Sequence, residues 1–285
     1  HDKGSFDPAM MAQEPAAALI RETRAILREA MDTGVADNVL PPVMARKLDE
    51  SLFLFSGFKT AQELKEASLL LRKEDGTVKG FAEFLTDVRR IDADYNVRYL
   101  EAEYHFAVGS AQMAASWAEA EEGGDRYDLQ YRTSGDNRVR PAHRALHGIT
   151  LPPDDPFWRS YYPPNDWGCR CTVRQVRREK FPRTDPAEAL RLGDEATALP
   201  RQRIFRFNPG LDRQLFPPKH PYYKLSKEAR EEVRKVTRKE IRKERIETLR
   251  RQLPDRLTDA EKEAIAANNY ELEQALGIMA GKPMT

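Results

Sequence analysis

The sequence predicts an α+β fold, and three features of the chain support this prediction. Residues 11–122 carry apolar positions at helical spacing. Two segments that alternate between apolar and polar residues, 127–133 and 169–176, are typical of strands and flank a loop rich in proline and aromatic residues. The remainder, residues 181–285, returns to helical spacing on a highly charged background.

The composition excludes several classes of protein. Hydrophobic residues make up 40% of the 285 residues, charged residues make up 33%, and the mean hydropathy is −0.71. Because no stretch approaches the ~20 apolar residues of a membrane helix, an integral membrane protein and a membrane partner are excluded. The 12 Phe, 10 Tyr and 3 Trp suffice for a core, and two Cys are too few for a disulfide-stapled secreted scaffold.

The N-terminal region divides into a leader and a series of helices. Residues 1–10 show no signal-peptide pattern and are interpreted as a leader outside the fold. Within the helical region 11–122, breaks are predicted at Gly34 and at Pro41-Pro42. Thr60 and Glu63 have the spacing of a capping box and predict a helix start. The last predicted helix, 94–121, has an alanine-rich face that allows close packing.

Residues 123–180 are predicted to form a small sheet closed by an ordered loop. Segment 127–133 and segment 169–176 supply the strands. The prolines between them exclude a regular helix or a central strand. The loop also carries Phe157, Trp158, Tyr161 and Trp167, which is too much aromatic surface for a solvated linker. We therefore expect these aromatic rings to pack as the cover of a small core, with the Trp nitrogens donating to backbone acceptors.

The C-terminal region, 181–285, is predicted to be helical and basic. Between residues 200 and 252 there are 17 Lys and Arg against seven Asp and Glu, an excess of ten positive charges. A highly charged helix is expected over 225–253, and a further helix should end near Gly277. Six basic residues are candidates for weak, non-specific DNA binding: Arg234, Lys235, Arg238, Lys239, Arg242 and Lys243. The alternative is a solvated helix in which nearby glutamates pair with these cations: Glu231, Glu232, Glu240, Glu244 and Glu247.

Four short motifs follow one another between residues 131 and 176. They are Arg132-Thr133 on the first strand, Arg140-x-x-His143, the run from Asp154 to Trp158, and the run from Pro163 to Cys171. Together they resemble the phage head morphogenesis domain, the family named after the Mu F protein. The close resemblance covers roughly 95–176 and places the domain core at 123–180, with the preceding helix 94–121.

The resemblance implies a minor head protein of a tailed phage or prophage that acts in head morphogenesis near the portal. The implied partners are the portal protein, the major capsid or scaffold protein, and packaged DNA. The implied location is the interior of the virion head, after assembly in the host bacterial cytoplasm. Some relatives carry a C-terminal toxin or nuclease domain, so the alternative is a toxin carrier built on the same domain.

No enzymatic motif stands out in the sequence, and we therefore expect a protein that is not an enzyme. A nucleophile elbow, a phosphate-binding loop and a His-Glu-x-x-His pattern are all missing from the sequence. The Arg-Thr strand invites comparison with ADP-ribosyltransferases, but the glutamate that their chemistry requires cannot be placed. Asp154 and Asp155 are adjacent and precede a proline, which favours a turn over an acid–base pair.

A zinc site is a further possibility in this region. Cys169 and Cys171 would point to one face of a strand, and His143 and His147 would share one face of a helix. Two thiolates and two imidazoles can form a tetrahedral zinc site. In the alternative, both Cys are buried small apolar residues and His143 hydrogen-bonds the loop. A disulfide between the two Cys is not expected, because side chains on one strand face lie too far apart.

The remaining polar residues of the motifs are predicted to have structural roles. Asn165 is expected to bond backbone amides of its own loop as an Asx turn. An ion-pair lattice is expected to tie the loop to the sheet through Arg132, Asp136, Arg138, Arg140 and Asp155.

Overall fold

The computed structural model describes residues 6–36 and 38–275, and it confirms the α+β class. Among the described residues the α-helices are α1 (Glu14–Val35), α2 (Pro42–Leu69), α3 (Phe81–Ala93), α4 (Leu100–Gly123), α5 (Pro141–Arg144), α6 (Phe157–Tyr161), α7 (Pro186–Ala196), α8 (Pro209–Asp212), α9 (Lys227–Arg251) and α10 (Asp259–Ala275). A π-helical segment, Asp94–Tyr99, leads into α4, and short 3₁₀ turns include Pro8–Ala12 and Pro221–Tyr223. No described helix is both long enough and apolar enough to cross a membrane.

The sheet is antiparallel and has the order β2-β1-β3. Its strands are β1 (Tyr127–Arg132), β2 (Thr150–Leu151) and β3 (Thr172–Arg177). Tyr131 of β1 lies opposite Val173 of β3, while Leu129 lies opposite Leu151 of β2. These four side chains are buried, so one face of the central strand packs into the interior.

The chain forms two compact units, each assembled from separated segments. Among the described residues, one unit contains residues 6–24, 42–92 and 225–275. The other contains residues 25–41 and 93–224, including the sheet. The predicted limits at residues 122 and 180 describe a linear division of the chain, whereas each unit joins residues that are distant in sequence.

In the first unit, α9 packs along α2. The two helices come very close at Gly57, where an added Cβ would lie 2.6 Å from Cγ2 of Thr237. Arg24 of α1 makes a bidentate pair with Asp49, at 2.7 Å to each carboxylate oxygen, and its guanidinium lies over the ring of Phe53. The side chain of Arg24 is thus packed within the unit rather than exposed to solvent.

The same unit ends in an antiparallel helix pair, α9 and α10. Ile246 and Leu249 of α9 form a small apolar cluster with Ala266 of α10. Arg245 and Arg250 add ion pairs across the two helices. The apolar residues of the highly charged helix α9 are therefore used for packing.

In the second unit, α4 is the central helix and carries a cluster of aromatic contacts. The ring of Phe106 has Phe205, Phe207, Phe216 and Trp167 within 4.9–6.4 Å. Further along α4, Trp117 packs edge-on against Tyr162 and also against Gly210, where an added Cβ would lie 2.3 Å from Cβ of Trp117. The alanine-rich face predicted for this helix is buried, as expected for close packing.

Two element boundaries differ from the sequence predictions. The pair Thr60 and Glu63 opens no helix, because both residues lie buried in the middle of the continuous helix α2. The strand predicted over 169–176 corresponds to β3, which begins at Thr172. Cys169 and Cys171 therefore lie in the turn before it. The predicted helix end near Gly277 lies outside the described residues.

Candidate metal and structural site

His143, Cys169 and Cys171 converge on one point beside the sheet. Nδ1 of His143 lies 3.6 Å from Sγ of Cys169 and 3.9 Å from Sγ of Cys171. The three candidate ligand atoms all lie within 4.8 Å of one another, and both Cys are free thiols. His143 and Cys171 are buried, and Cys169 is partly exposed. The structure therefore brings together three of the four predicted ligands.

Two short segments position these three side chains. His143 lies in α5, whose first residue, Pro141, presets the helical backbone. The Cys segment is held by a tight turn in which the amide of Cys169 donates to the carbonyl of Asp166, at 3.1 Å. Gly168 adopts φ +64° in this turn, a conformation that favours glycine. This turn aims both sulfurs at the imidazole although they do not lie on a strand.

The pKa values of the two thiols are shifted in opposite directions. The pKa of Cys169 is held well below its ordinary value, because the Cys171 thiol donates to it and His143 lies beside it, while burial opposes the shift. The pKa of Cys171 is raised by the same sulfur–sulfur hydrogen bond and by burial. Of the two thiols, Cys169 therefore has the lower pKa.

His147 does not join this cluster. Its ring is exposed, and its Nδ1 accepts a hydrogen bond from the amide of Thr133 at 3.2 Å and contacts the Thr133 hydroxyl at 2.9 Å. The prediction that His147 shares a helical face with His143 is wrong, because α5 ends at Arg144. The ring instead fixes the end of β1.

The predicted ion-pair lattice forms in part, and with different partners. Asp136 binds Arg170 through two contacts of 2.7 and 2.8 Å and accepts the backbone amide of Arg138 at 3.0 Å, whereas the guanidinium of Arg138 lies 3.9 Å away. The hydrogen bond from Arg170, together with that from the Arg138 amide, lowers the pKa of Asp136 to about 2. Arg140 donates to the carbonyl of Trp167 at 2.8 Å and lies 3.5 Å from a carboxylate oxygen of Asp166.

Two predicted members lie outside that lattice. Asp155 accepts the amide of Phe157 at 2.9 Å, which makes it part of its own turn. The guanidinium of Arg132 lies over the ring of Phe181 at 5.7 Å. Asp154 is exposed next to this turn. The structure therefore places Asp154 and Asp155 as turn residues.

Asn165 is fully buried and bridges the loop and the sheet. Its side-chain oxygen accepts the hydroxyl of Tyr131 at 2.8 Å, and its nitrogen donates to the carbonyl of Tyr162 at 3.3 Å. The predicted Asx turn is wrong, because the acceptor oxygen faces a strand side chain rather than loop amides. Burial raises the pKa of Tyr131 well above its ordinary value, so the phenol stays protonated and remains a donor.

The aromatic residues of the loop divide into two clusters. Trp158 is completely buried, packs edge-on against Phe157, and donates its Nε1 to the carbonyl of Pro152 at 3.0 Å. Trp167 is only half-buried and packs against the α4 cluster and His220. The predicted hydrogen bond from the indole nitrogen is thus observed for Trp158. Trp167 packs in a different aromatic cluster from Trp158.

Several contacts in this region had no signal in the sequence. Asp128, in β1, is buried and binds Arg183 at 2.9 and 3.1 Å. Asp166 is held by Gln202 at 3.1 Å as well as by Arg140. Partners 36 and 55 residues apart follow no local spacing rule, so only the folded chain reveals them.

The six basic residues predicted for DNA binding are all exposed on α9. They form two adjacent rows with a spacing of four residues: Arg234, Arg238 and Arg242, then Lys235, Lys239 and Lys243. Some of the nearby glutamates bind elsewhere in the unit, since Glu240 pairs with Arg21 and Glu244 pairs with Arg24. The cations are therefore aligned on one side of the helix rather than spread around it.

Comparisons with known proteins give a match over the region that contains this site. Residues 61–174 match the model of the family described as Phage Mu protein F like protein. The predicted resemblance is confirmed, and the chain carries a Mu F-like region at these positions.

Individual relatives match over shorter segments. The Mu-like prophage FluMu F protein of Haemophilus influenzae is 46% identical over 68 residues, which cover 24% of this chain and 16% of that protein. The putative capsid assembly protein F of Escherichia phage Mu is 36% identical over 95 residues, 30% of this chain and 22% of that protein. An uncharacterised protein of Methanocaldococcus jannaschii is 50% identical over 48 residues, 16% of this chain and 7% of that protein. The chain spans less than a quarter of these relatives, and no solved structure gave a match.

Proposed function

We propose that this chain is a minor head protein of a tailed phage or prophage, with a structural role in head morphogenesis and no catalytic role. The match of residues 61–174 to the Mu F-like family carries the proposal, and a relative in this region is named as a putative capsid assembly protein. The contacts of the motifs support it as well. Trp158 and Asn165 are fully buried and bonded inside the fold, as expected for residues that maintain a scaffold.

The proposed partners are the proteins with which a minor head protein assembles. These are the portal protein and the major capsid or scaffold protein, and the proposed place of action is near the portal, in the head interior. Before assembly the chain would reside in the host cytoplasm.

Genetic disruption tests this role. Loss of the gene from the phage or induced prophage should reduce the yield of DNA-filled heads seen by electron microscopy, and expression of the full chain should restore it. Expression of the Trp158→Ala chain should restore fewer DNA-filled heads than expression of the unmodified chain, because Trp158 is fully buried and its loss should destabilise the fold. Normal numbers of filled, infectious heads without the gene would contradict the proposal and favour a toxin-carrier role.

We further propose that the two exposed basic rows on α9 bind packaged DNA weakly and without reading its bases. Among the described residues, Lys235 pairs with Glu232 and Arg242 pairs with Glu271. The other four cations of the two rows make no ion pair there: Arg234, Arg238, Lys239 and Lys243. Aligned Lys and Arg contact phosphates and release condensed counterions, which gives affinity without sequence preference.

Salt dependence tests DNA binding. The full chain should bind duplex DNA more weakly at 200 mM than at 50 mM salt, because each phosphate contact adds ~0.9 to the salt slope. Changing Arg234, Arg238 and Lys239 to Gln should lower that slope by about 2–3. The control changes three exposed cations of the other unit, Arg174, Arg201 and Arg203, to Gln and removes the same net charge. If the salt slopes of the two triple variants were equal, α9 would have no specific role in DNA binding.

A further inference from the structure

We propose that His143, Cys169 and Cys171 bind one zinc ion, with a water molecule as the fourth ligand. This site goes beyond the head-protein role, which does not require a metal. The ion would connect α5 to the turn that leads into β3 and would thus stabilise the Mu F-like core from inside.

The distances fit zinc coordination. With Zn–S bonds of about 2.3 Å and Zn–N bonds of about 2.05 Å, a tetrahedral site separates sulfur from nitrogen by about 3.6 Å. The observed separations from Nδ1 of His143 are 3.6 Å to Cys169 and 3.9 Å to Cys171. Two thiolates with one imidazole are soft and borderline ligands, which favour zinc over magnesium or calcium.

The three ligands are held in place by contacts that do not involve a metal. The carbonyl of Trp167 accepts from Arg140 at 2.8 Å, and this contact ties the Cys turn to the residue that precedes α5. The carbonyl of Asp166 accepts the amide of Cys169, which orients the first thiol. Because the backbone already holds the ligands near their coordinating positions, little ordering entropy opposes binding.

Binding replaces protons by the metal. Zinc is bound by two thiolates and by the lone pair of Nδ1 of His143, so each thiol that is protonated before binding releases one proton. His147 is not part of the cluster and its Nδ1 is engaged by Thr133, so it does not supply the fourth ligand. Cys169 is partly exposed, and water therefore reaches the metal from this side.

A metal titration of the full chain tests the proposal. Reduced protein is stripped with a chelator and titrated with Zn²⁺ in competition with a chromophoric chelator. One equivalent should bind, and the melting temperature should rise with zinc because the ion binds only the folded state. Cys169→Ser and Cys171→Ser should each lose the equivalent, whereas the matched control His147→Asn should keep it.

Cobalt provides a test that does not depend on how the variants fold. Co²⁺ added to the stripped wild-type chain should give the thiolate-to-cobalt charge-transfer band and the visible bands of a tetrahedral site. A wild-type chain without the charge-transfer band would overturn the proposal, and so would Cys variants that still bind one zinc. Either of these negative results would leave the head-protein role intact, since head assembly is measured separately.

Discussion

Trp158 shows how one residue of a recognisable motif maintains the fold. Its ring is fully buried, and its Nε1 donates to Pro152. Trp158→Ala should lower the free energy of unfolding by about 3–5 kcal/mol, the usual cost of emptying a large aromatic site. Urea denaturation of the purified chain measures this loss.

Trp167→Ala is the matched control for this prediction. Trp167 is half-buried, so the same substitution should cost less than it does at Trp158. A Trp158→Ala chain with unchanged stability and a defect only in head assembly would place Trp158 at an interface instead.

Asp136 gives a prediction that depends on pH. Arg170 lowers its pKa from the ordinary 3.8 to about 2 in the folded chain, so the pair stabilises the folded state above the unfolded pKa. That stabilisation is lost as the pH falls from about 4 to about 2. In carboxyl NMR titrations, Arg170→Gln should return the pKa of Asp136 towards 3.8. Arg138→Gln should change it less, because the guanidinium of Arg138 lies 3.9 Å away and its backbone amide, which donates to Asp136 at 3.0 Å, is kept in the variant. An ordinary pKa for Asp136 with Arg170 intact would contradict this account.

At the residue scale, local chemistry was predictable and partners were not. The Trp158 hydrogen bond follows from the general need of a buried indole for an acceptor. The acceptor role of Asn165 towards Tyr131 joins residues 34 positions apart, and so does the Asp136–Arg170 pair. No spacing rule covers such distances, so the predictions assigned local roles instead.

At the scale of elements, the crossing of α2 and α9 depends on a glycine. An added Cβ at Gly57 would lie 2.6 Å from Thr237 and 3.0 Å from Val233, so Gly57→Ala should force the helices apart. We expect a cost of about 1–3 kcal/mol in stability, measured by thermal or urea unfolding. Gly80→Ala is the control, because an added Cβ there has no atom within 4 Å. Equal stability of the two variants would mean that the crossing tolerates a methyl group.

Two copies of one motif show why element boundaries were predicted unevenly. Thr258 and Glu261 form a capping box, since the amide of Thr258 donates to Glu261 at 2.8 Å and the amide of Glu261 donates to Thr258 at 3.3 Å. Thr60 and Glu63 have the same spacing but lie inside α2. Thr258 follows a turn after Pro254, whereas apolar residues precede Thr60 and continue the helix. Burial outweighs the local cap signal at this position.

For the whole molecule, the fold class and the Mu F-like region could be predicted because both leave dense local patterns. Four ordered motifs within about 45 residues are specific, and they are confirmed by the family match at 61–174. The assembly of two units from separated segments could not be predicted, because α2 meets α9 across a long stretch of chain. All three members of the candidate metal cluster were among the four predicted ligands, and the fourth, His147, lies outside it.

Mass spectrometry of purified heads tests the central claim most directly. Heads from induced or infected cells would be separated on a density gradient and the chain quantified against the portal and major capsid proteins. We predict that the full chain sediments with the heads, in a constant and small ratio to the portal protein and far below the major capsid protein. A chain that is missing from washed heads and stays in the unassembled fraction would contradict the assignment as a minor head protein.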